Sequence, residues 1–70
     1  MKVYAIKASG HYGAGMAIVA AYNPNDAVRL ADEGIRDPWN VRYGEPEKVE
    51  LLPCVCDGDA RILTHYETGE

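Results

Sequence analysis

Met16-Ala17-Ile18-Val19-Ala20-Ala21-Tyr22 is apolar or aromatic at every position, and Asn23-Pro24-Asn25-Asp26 follows it without a gap. Successive side chains of a strand point to opposite faces, so a run of this kind is hidden only when both faces of its sheet are covered. The second stretch starts a helix. Asn23 suits the N-cap, Pro24 the first turn, where a missing N–H costs nothing, and Asp26 the positive end of the helix dipole. One short helix covers one face of a sheet, and the other face needs something else.

On the N-terminal side, Lys2 to Ala8 alternates Tyr4 and Ile6 with Val3, Ala5 and Lys7, the period-two signature of a strand. Ser9-Gly10-His11-Tyr12-Gly13-Ala14-Gly15 interrupts it with three glycines, and the short separation makes the two strands an antiparallel hairpin. On the C-terminal side the helix is expected to run to about Glu33, with Ala27, Val28, Leu30 and Ala31 as its apolar stripe. Arg29, Asp32 and Glu33 face water in this reading, and Gly34 is a left-handed stop.

Periodicity dissolves from Ile35 to Glu47, where Trp39 to Tyr43 reads at most as a short edge strand; a loop of that length in a compact domain is functional or flexible. Lys48 to Cys56 is the third main strand, in which Pro53 argues for an edge position or a bulge. Asp57-Gly58-Asp59 reads as a hairpin turn, Ala60 to Tyr66 as the fourth strand, and Glu67 to Glu70 as a frayed tail. The fold predicted is α+β, ββαββ: a single domain over residues 1–70 with a four-stranded, mainly antiparallel sheet and one helix on one face.

A chain of 70 residues hides only roughly 60% of its unfolded surface, so its core is thin. Phenylalanine is absent, and Tyr4, Tyr12, Tyr22, Tyr43, Tyr66 and Trp39 supply all the aromatic bulk, each with a polar group that wants a partner. With strands one and two apolar on both sides, a bare sheet face would expose more apolar surface than soluble monomers tolerate. Self-association as a symmetric homodimer is the simplest remedy, by stacking sheets or pairing edges, and a protein target is the other.

Charge divides unevenly. Residues 1–44 carry five basic and four acidic groups, a net +1, whereas residues 45–70 carry two basic and seven acidic groups, a net −5. Direct nucleic-acid binding across a broad basic face is disfavoured, since phosphate neutralisation needs clustered Lys and Arg. An acidic patch formed by Glu45, Glu47, Glu50 and Asp57 and aimed at a basic protein groove stays open. Neither a signal-peptide pattern nor an apolar run of the roughly 20 residues a membrane span requires is present, and the sparse cysteines suit a reducing compartment. The expectation is a cytoplasmic protein without a membrane partner.

Four constellations bear on possible chemistry. Gly10, Gly13 and Gly15, with His11 and Tyr12 between them, could cradle a phosphate on converging N–H groups, although the spacing matches neither the P-loop nor the dinucleotide fingerprint and also suits a plain turn. Arg36, Trp39, Arg42 and Tyr43 set two guanidinium groups among two aromatic rings, a combination suited to anchoring a partner or stacking on a base; the simpler reading has Trp39 capping the core. Cys54 and Cys56 are poor disulfide partners at this spacing, and a metal would need two further ligands that no second cysteine motif supplies, so they read as small buried apolar groups. His65 and Tyr66 near Glu67 could be offered as an acid–base pair, but no nucleophile stands at a recognisable spacing. The expectation is a protein with no enzymatic activity, cofactor or metal.

In size and charge pattern the chain resembles the small accessory proteins of phages and mobile elements, the anti-CRISPR and other anti-defence inhibitors among them. The resemblance covers the whole chain but rests on no motif, so no site residue is carried over from it. It implies a stoichiometric inhibitor in the cytoplasm of a host cell, one that occludes a protein or nucleic-acid-binding surface. Two alternatives stand beside it. One is a protein that sequesters a small nucleotide signal between subunits, against the glycine loop, Tyr12, Trp39 and Arg42; the other is a structural subunit of a larger complex.

Overall fold

The computed structural model describes residues 1–11, 13–35 and 41–69. It contains β1 (Lys2–Ser9), β2 (Gly13–Ala21), α1 (Pro24–Gly34), β3 (Lys48–Val55) and β4 (Arg61–Gly69). These four strands form one sheet in the order β3-β1-β2-β4, every neighbouring pair antiparallel, with α1 against it. This is the ββαββ, α+β architecture that the sequence predicts.

The strand alternation sorts side chains onto two faces. Tyr4, Ile6 and Ala8 of β1 lie beside Val19, Ala17 and Gly15 of β2 on the face that the helix covers. Val3, Ala5, Lys7 and Ser9, opposite Ala20, Ile18, Met16 and Ala14, are on the other. The helix begins as expected, with Asn23 Oδ1 accepting from the Asp26 N–H at 2.8 Å, and it buries Ala27 and Ala31. Gly34 is not the left-handed stop expected of it; it is the last helical residue, and Ile35 caps the helix in an extended conformation, its N–H donating to Ala31 O. A Cβ at Gly34 would come within 2.6 Å of Ile62 Cδ1, so the glycine serves the approach of β4.

An 11-residue helix is about 16 Å long, whereas a nine-residue strand reaches about 30 Å. The rest of the helix-side face is closed by residues 41–47. Arg42 N–H donates to Ser9 O and Glu47 N–H to Lys7 O, which lays this segment along the end of β1 and drives Val41 and Tyr43 into the core. Val41 makes one isolated bridge to Gly10 and Tyr43 lies in a turn, so the described part of the expected Trp39–Tyr43 edge strand is not a strand.

The second expected hairpin does not form. β3 and β4 sit on opposite edges of the sheet with the first hairpin between them, because β1 already offers β3 a free edge and β2 offers one to β4. The five residues Cys56–Ala60 therefore cross three strand spacings, about 14 Å, rather than turning tightly. Cys56 N–H donates to Met1 O, and Arg61 Nη1 reaches back to the carbonyls of Asp57 and Asp59 at 3.1 and 2.9 Å. Val3 and Ala20, at this end of the face away from the helix, are buried outside the main core. Apolar side chains nevertheless stand exposed at both ends of the sheet, Tyr22 and Val55 here and Met16 and Tyr66 at the other. Pro53 lies where the β1–β3 register slips, on an edge strand, as its missing donor requires. Glu67 and Gly69 belong to β4 rather than to a frayed tail.

Candidate functional site

At the far end of the uncovered face, Lys7, Ala14, Gly15, Met16, Tyr66 and Thr68 line a shallow hollow of about 180 Å³. β2 supplies its floor and β4 its wall, with Met16 directly opposite Tyr66 and Ala14 opposite Thr68. Met16 is 44% and Tyr66 72% exposed. On its other side the charges are Lys7 and Lys48, which oppose one another across β1 and β3 on the same face. Like charges in directly opposed positions are unfavourable, so this pair is an electrostatic cost that an acidic group placed above it would relieve. Of this hollow only Gly15 and Tyr66 stood out in the sequence, Tyr66 as half of an acid–base pair with His65 and not as a docking residue, whereas Met16 read as a strand residue.

A second, more polar concavity of about 550 Å³ is lined by Asp32 of the helix and by Val41, Arg42, Gly44 and Glu45. Arg42 and Glu45 meet there at 3.9 Å, both largely exposed. An ion pair of that exposure contributes little and is easily exchanged for another partner.

Beneath the sheet, Tyr43, Glu67 and His65 are joined. The Tyr43 hydroxyl donates to Glu67 Oε2 at 3.1 Å, and His65 Nδ1 faces the same carboxylate at 2.8 and 2.9 Å. The Glu67 side chain is 8% exposed and that of His65 43%. This carboxylate orients the imidazole and anchors the end of β4; among the described residues no group of three or more His, Cys, Asp or Glu is placed to hold a metal.

Several residues chosen from sequence take other places. Tyr43 is buried at 1% exposure and belongs to the core, so it presents no ring to a partner. Gly13 and Gly15 lie in β2 rather than in a phosphate loop: a Cβ at Gly13 would strike the Thr68 carbonyl, and one at Gly15 would strike the Tyr43 hydroxyl. Gly10 closes the hairpin by donating to Gly13 O, and His11 is exposed at its tip. Tyr12, Arg36 and Trp39 lie outside the described residues.

The four carboxylates do not gather. Glu45 is in the polar concavity, Glu47 accepts from Ser9 Oγ, Glu50 stands opposite Ala5, and Asp57 lies past the far end of β3. Cys54 is exposed and Cys56 half-buried, against the expectation of two buried thiols; Arg61 Nη2 donates to Cys56 Sγ at 3.3 Å. No helix among the described residues is long and apolar enough to cross a membrane.

Comparison with protein-family models, with curated proteins and with solved structures gave no match.

Proposed function

We propose that this chain is a small non-enzymatic binding protein that docks a protein partner on the uncovered face of its sheet and acts by stoichiometric occlusion. One observation carries the reading: an exposed apolar hollow built on Met16 and Tyr66 stands beside the directly opposed lysines Lys7 and Lys48. Apolar anchors within a charged rim are the arrangement of an interface centre, and two directly opposed lysines favour a partner with carboxylates at the matching positions. The scattered carboxylates favour this face over an acidic one. Stoichiometric binding of this kind is also what the resemblance to anti-CRISPR-like inhibitors implies.

The test is affinity capture from bacterial lysate with the wild-type chain, Met16→Glu and Lys7→Glu in parallel, each checked for fold by circular dichroism. A partner retained by the wild type and lost with both substitutions supports the reading. Equal capture by all three removes it.

A further inference from the structure

The two edges of the sheet are not equally guarded. β3 carries Pro53, a slip in register and the charged residues Lys48 and Glu50, all devices that keep an edge from pairing with another chain. The outer edge of β4 has a bulge, Arg61 before it and Glu67 after it, but neither proline nor lysine. That bulge is at Leu63, where Ile18 faces Thr64 and the next residue, Val19, faces Ile62. From Thr64 to Gly69 the strand is regular, without proline or lysine, and its only ionisable side chains among the described residues are His65, Tyr66 and Glu67.

We infer that a second copy of this chain pairs along this edge, antiparallel, about a two-fold axis through Tyr66. The residues themselves choose the register. Centred on Tyr66, the pairing sets Thr64 opposite Thr68 of the second copy and His65 opposite Glu67 of the second copy, each relation occurring twice by symmetry. Threonine pairs are favourable cross-strand neighbours, and an imidazole opposite a carboxylate gives a donor an acceptor. The adjacent registers are worse. Centring on Glu67 sets the two Glu67 carboxylates against each other, and centring on His65 sets the two imidazoles together and Leu63 against Glu67. Centring on Thr64 runs the pairing through the bulge and needs Arg61, whose guanidinium already holds the Asp57 and Asp59 carbonyls.

The proposed edge is also held in shape. Tyr43 fixes the Glu67 carboxylate, and Glu67 orients His65, so both side chains are positioned before any partner arrives. The resulting sheet has eight strands. Its two uncovered faces run on into one another, and the two hollows meet across the axis because Tyr66 and Thr68 line both the hollow and the edge. This inference needs no foreign partner and stands apart from the docking reading above.

A contact of five residues per strand belongs at the small end of specific interfaces, below about 1,200 Å², so the association is concentration-dependent. The experiment is sedimentation or native mass spectrometry of the purified chain from about 1 μM to about 1 mM, a range that spans weak and moderate affinities. The expected result is a species of twice the 7.7 kDa chain mass, with amide protection at residues 64–68 rising as it forms. His65→Glu, which sets a carboxylate opposite Glu67 of the second copy, and Thr64→Lys, which guards the edge without touching Glu67, each raise the dissociation constant at least about tenfold. Leu51→Lys, exposed on the other edge strand, leaves it unchanged. Circular dichroism separates these effects from unfolding, and Thr64→Lys carries the test should His65→Glu fail to fold. A single-chain mass throughout the series overturns the inference, as does a dimer that Leu51→Lys abolishes as readily as Thr64→Lys.

Discussion

Tyr43 donates its hydroxyl to Glu67 across 24 positions of sequence, at 3.1 Å, from a side chain that is almost wholly buried. This bond joins the segment after the helix to the last turnless stretch of the chain. It gives a buried phenol its acceptor and a poorly solvated carboxylate its donor, which is how a small core admits both. Gly15 lies above it, since a Cβ there would also come within 2.9 Å of Glu67 Cγ.

Tyr43→Phe keeps the ring and removes the donor. Hydrogen bonds to charged groups contribute more than neutral ones, so a loss of about 1.5–3 kcal/mol in urea unfolding is expected. Gly15→Ala is expected to cost about 1–3 kcal/mol by overpacking, and less in a Tyr43→Phe background, where the clashing oxygen is gone. Additive losses in the double variant would contradict a shared site.

Arg61 holds the crossing between β3 and β4 through the Asp57 and Asp59 carbonyls and Cys56 Sγ, and Gly58 bends the crossing with φ at +99°. A lysine cannot span two carbonyls with the same planar fork. Arg61→Lys and Arg61→Ala should both speed amide exchange at residues 56–60 and at Val3, with little change at Ala17. Gly58→Ala puts a side chain into the left-handed region and is expected to cost about 1–2 kcal/mol.

Local patterns proved the most legible part of the sequence. The alternation of Lys2–Ala8, the apolar run Met16–Tyr22 and the Asn23-Pro24 start each rest on neighbours within one element, and each is found in the structure, although the second strand begins at Gly13 and ends at Ala21. Strand pairing was not legible in the same way. Asp57-Gly58-Asp59 has the composition of a tight hairpin turn, yet turn composition says nothing about which strand already occupies an edge, and here the first hairpin fills the space between β3 and β4.

The candidate site was less legible still, and for a related reason. Gly13 and Gly15 stand out in sequence, but their lack of a Cβ answers to Thr68 and Tyr43, contacts across 55 and 28 positions. Met16 and Tyr66 look ordinary until the register sets them opposite one another on a face the helix does not reach. His65 and Glu67 were visible as neighbours, whereas the buried hydroxyl that fixes them comes from a loop without periodicity.

Asn23 caps the helix by accepting from the Asp26 N–H, and its amide also reaches the Asp26 carboxylate at 3.2 Å. Asn23→Ala is expected to lower stability by about 1 kcal/mol, and Asn23→Asp to recover part of it at low salt, where the dipole favours a negative charge but Asp26 opposes it. Thermal unfolding of the three chains checks the order.

Ala27 and Ala31 are the two fully buried residues of the helix, and they face alanines of both central strands, Ala8, Ala17 and Ala21, in the same cluster. Small side chains on both surfaces let helix and sheet approach closely, which is how a chain with so few large apolar residues fills its interior. Ala31→Leu therefore adds volume where no gap exists and is expected to cost at least about 1–3 kcal/mol. Val28→Leu, on the half-buried flank of the same helix, has room to turn outward and should change stability by less than about 1 kcal/mol. If both substitutions proved equally tolerated in denaturant unfolding, the close approach of helix to sheet would not be set by its alanines.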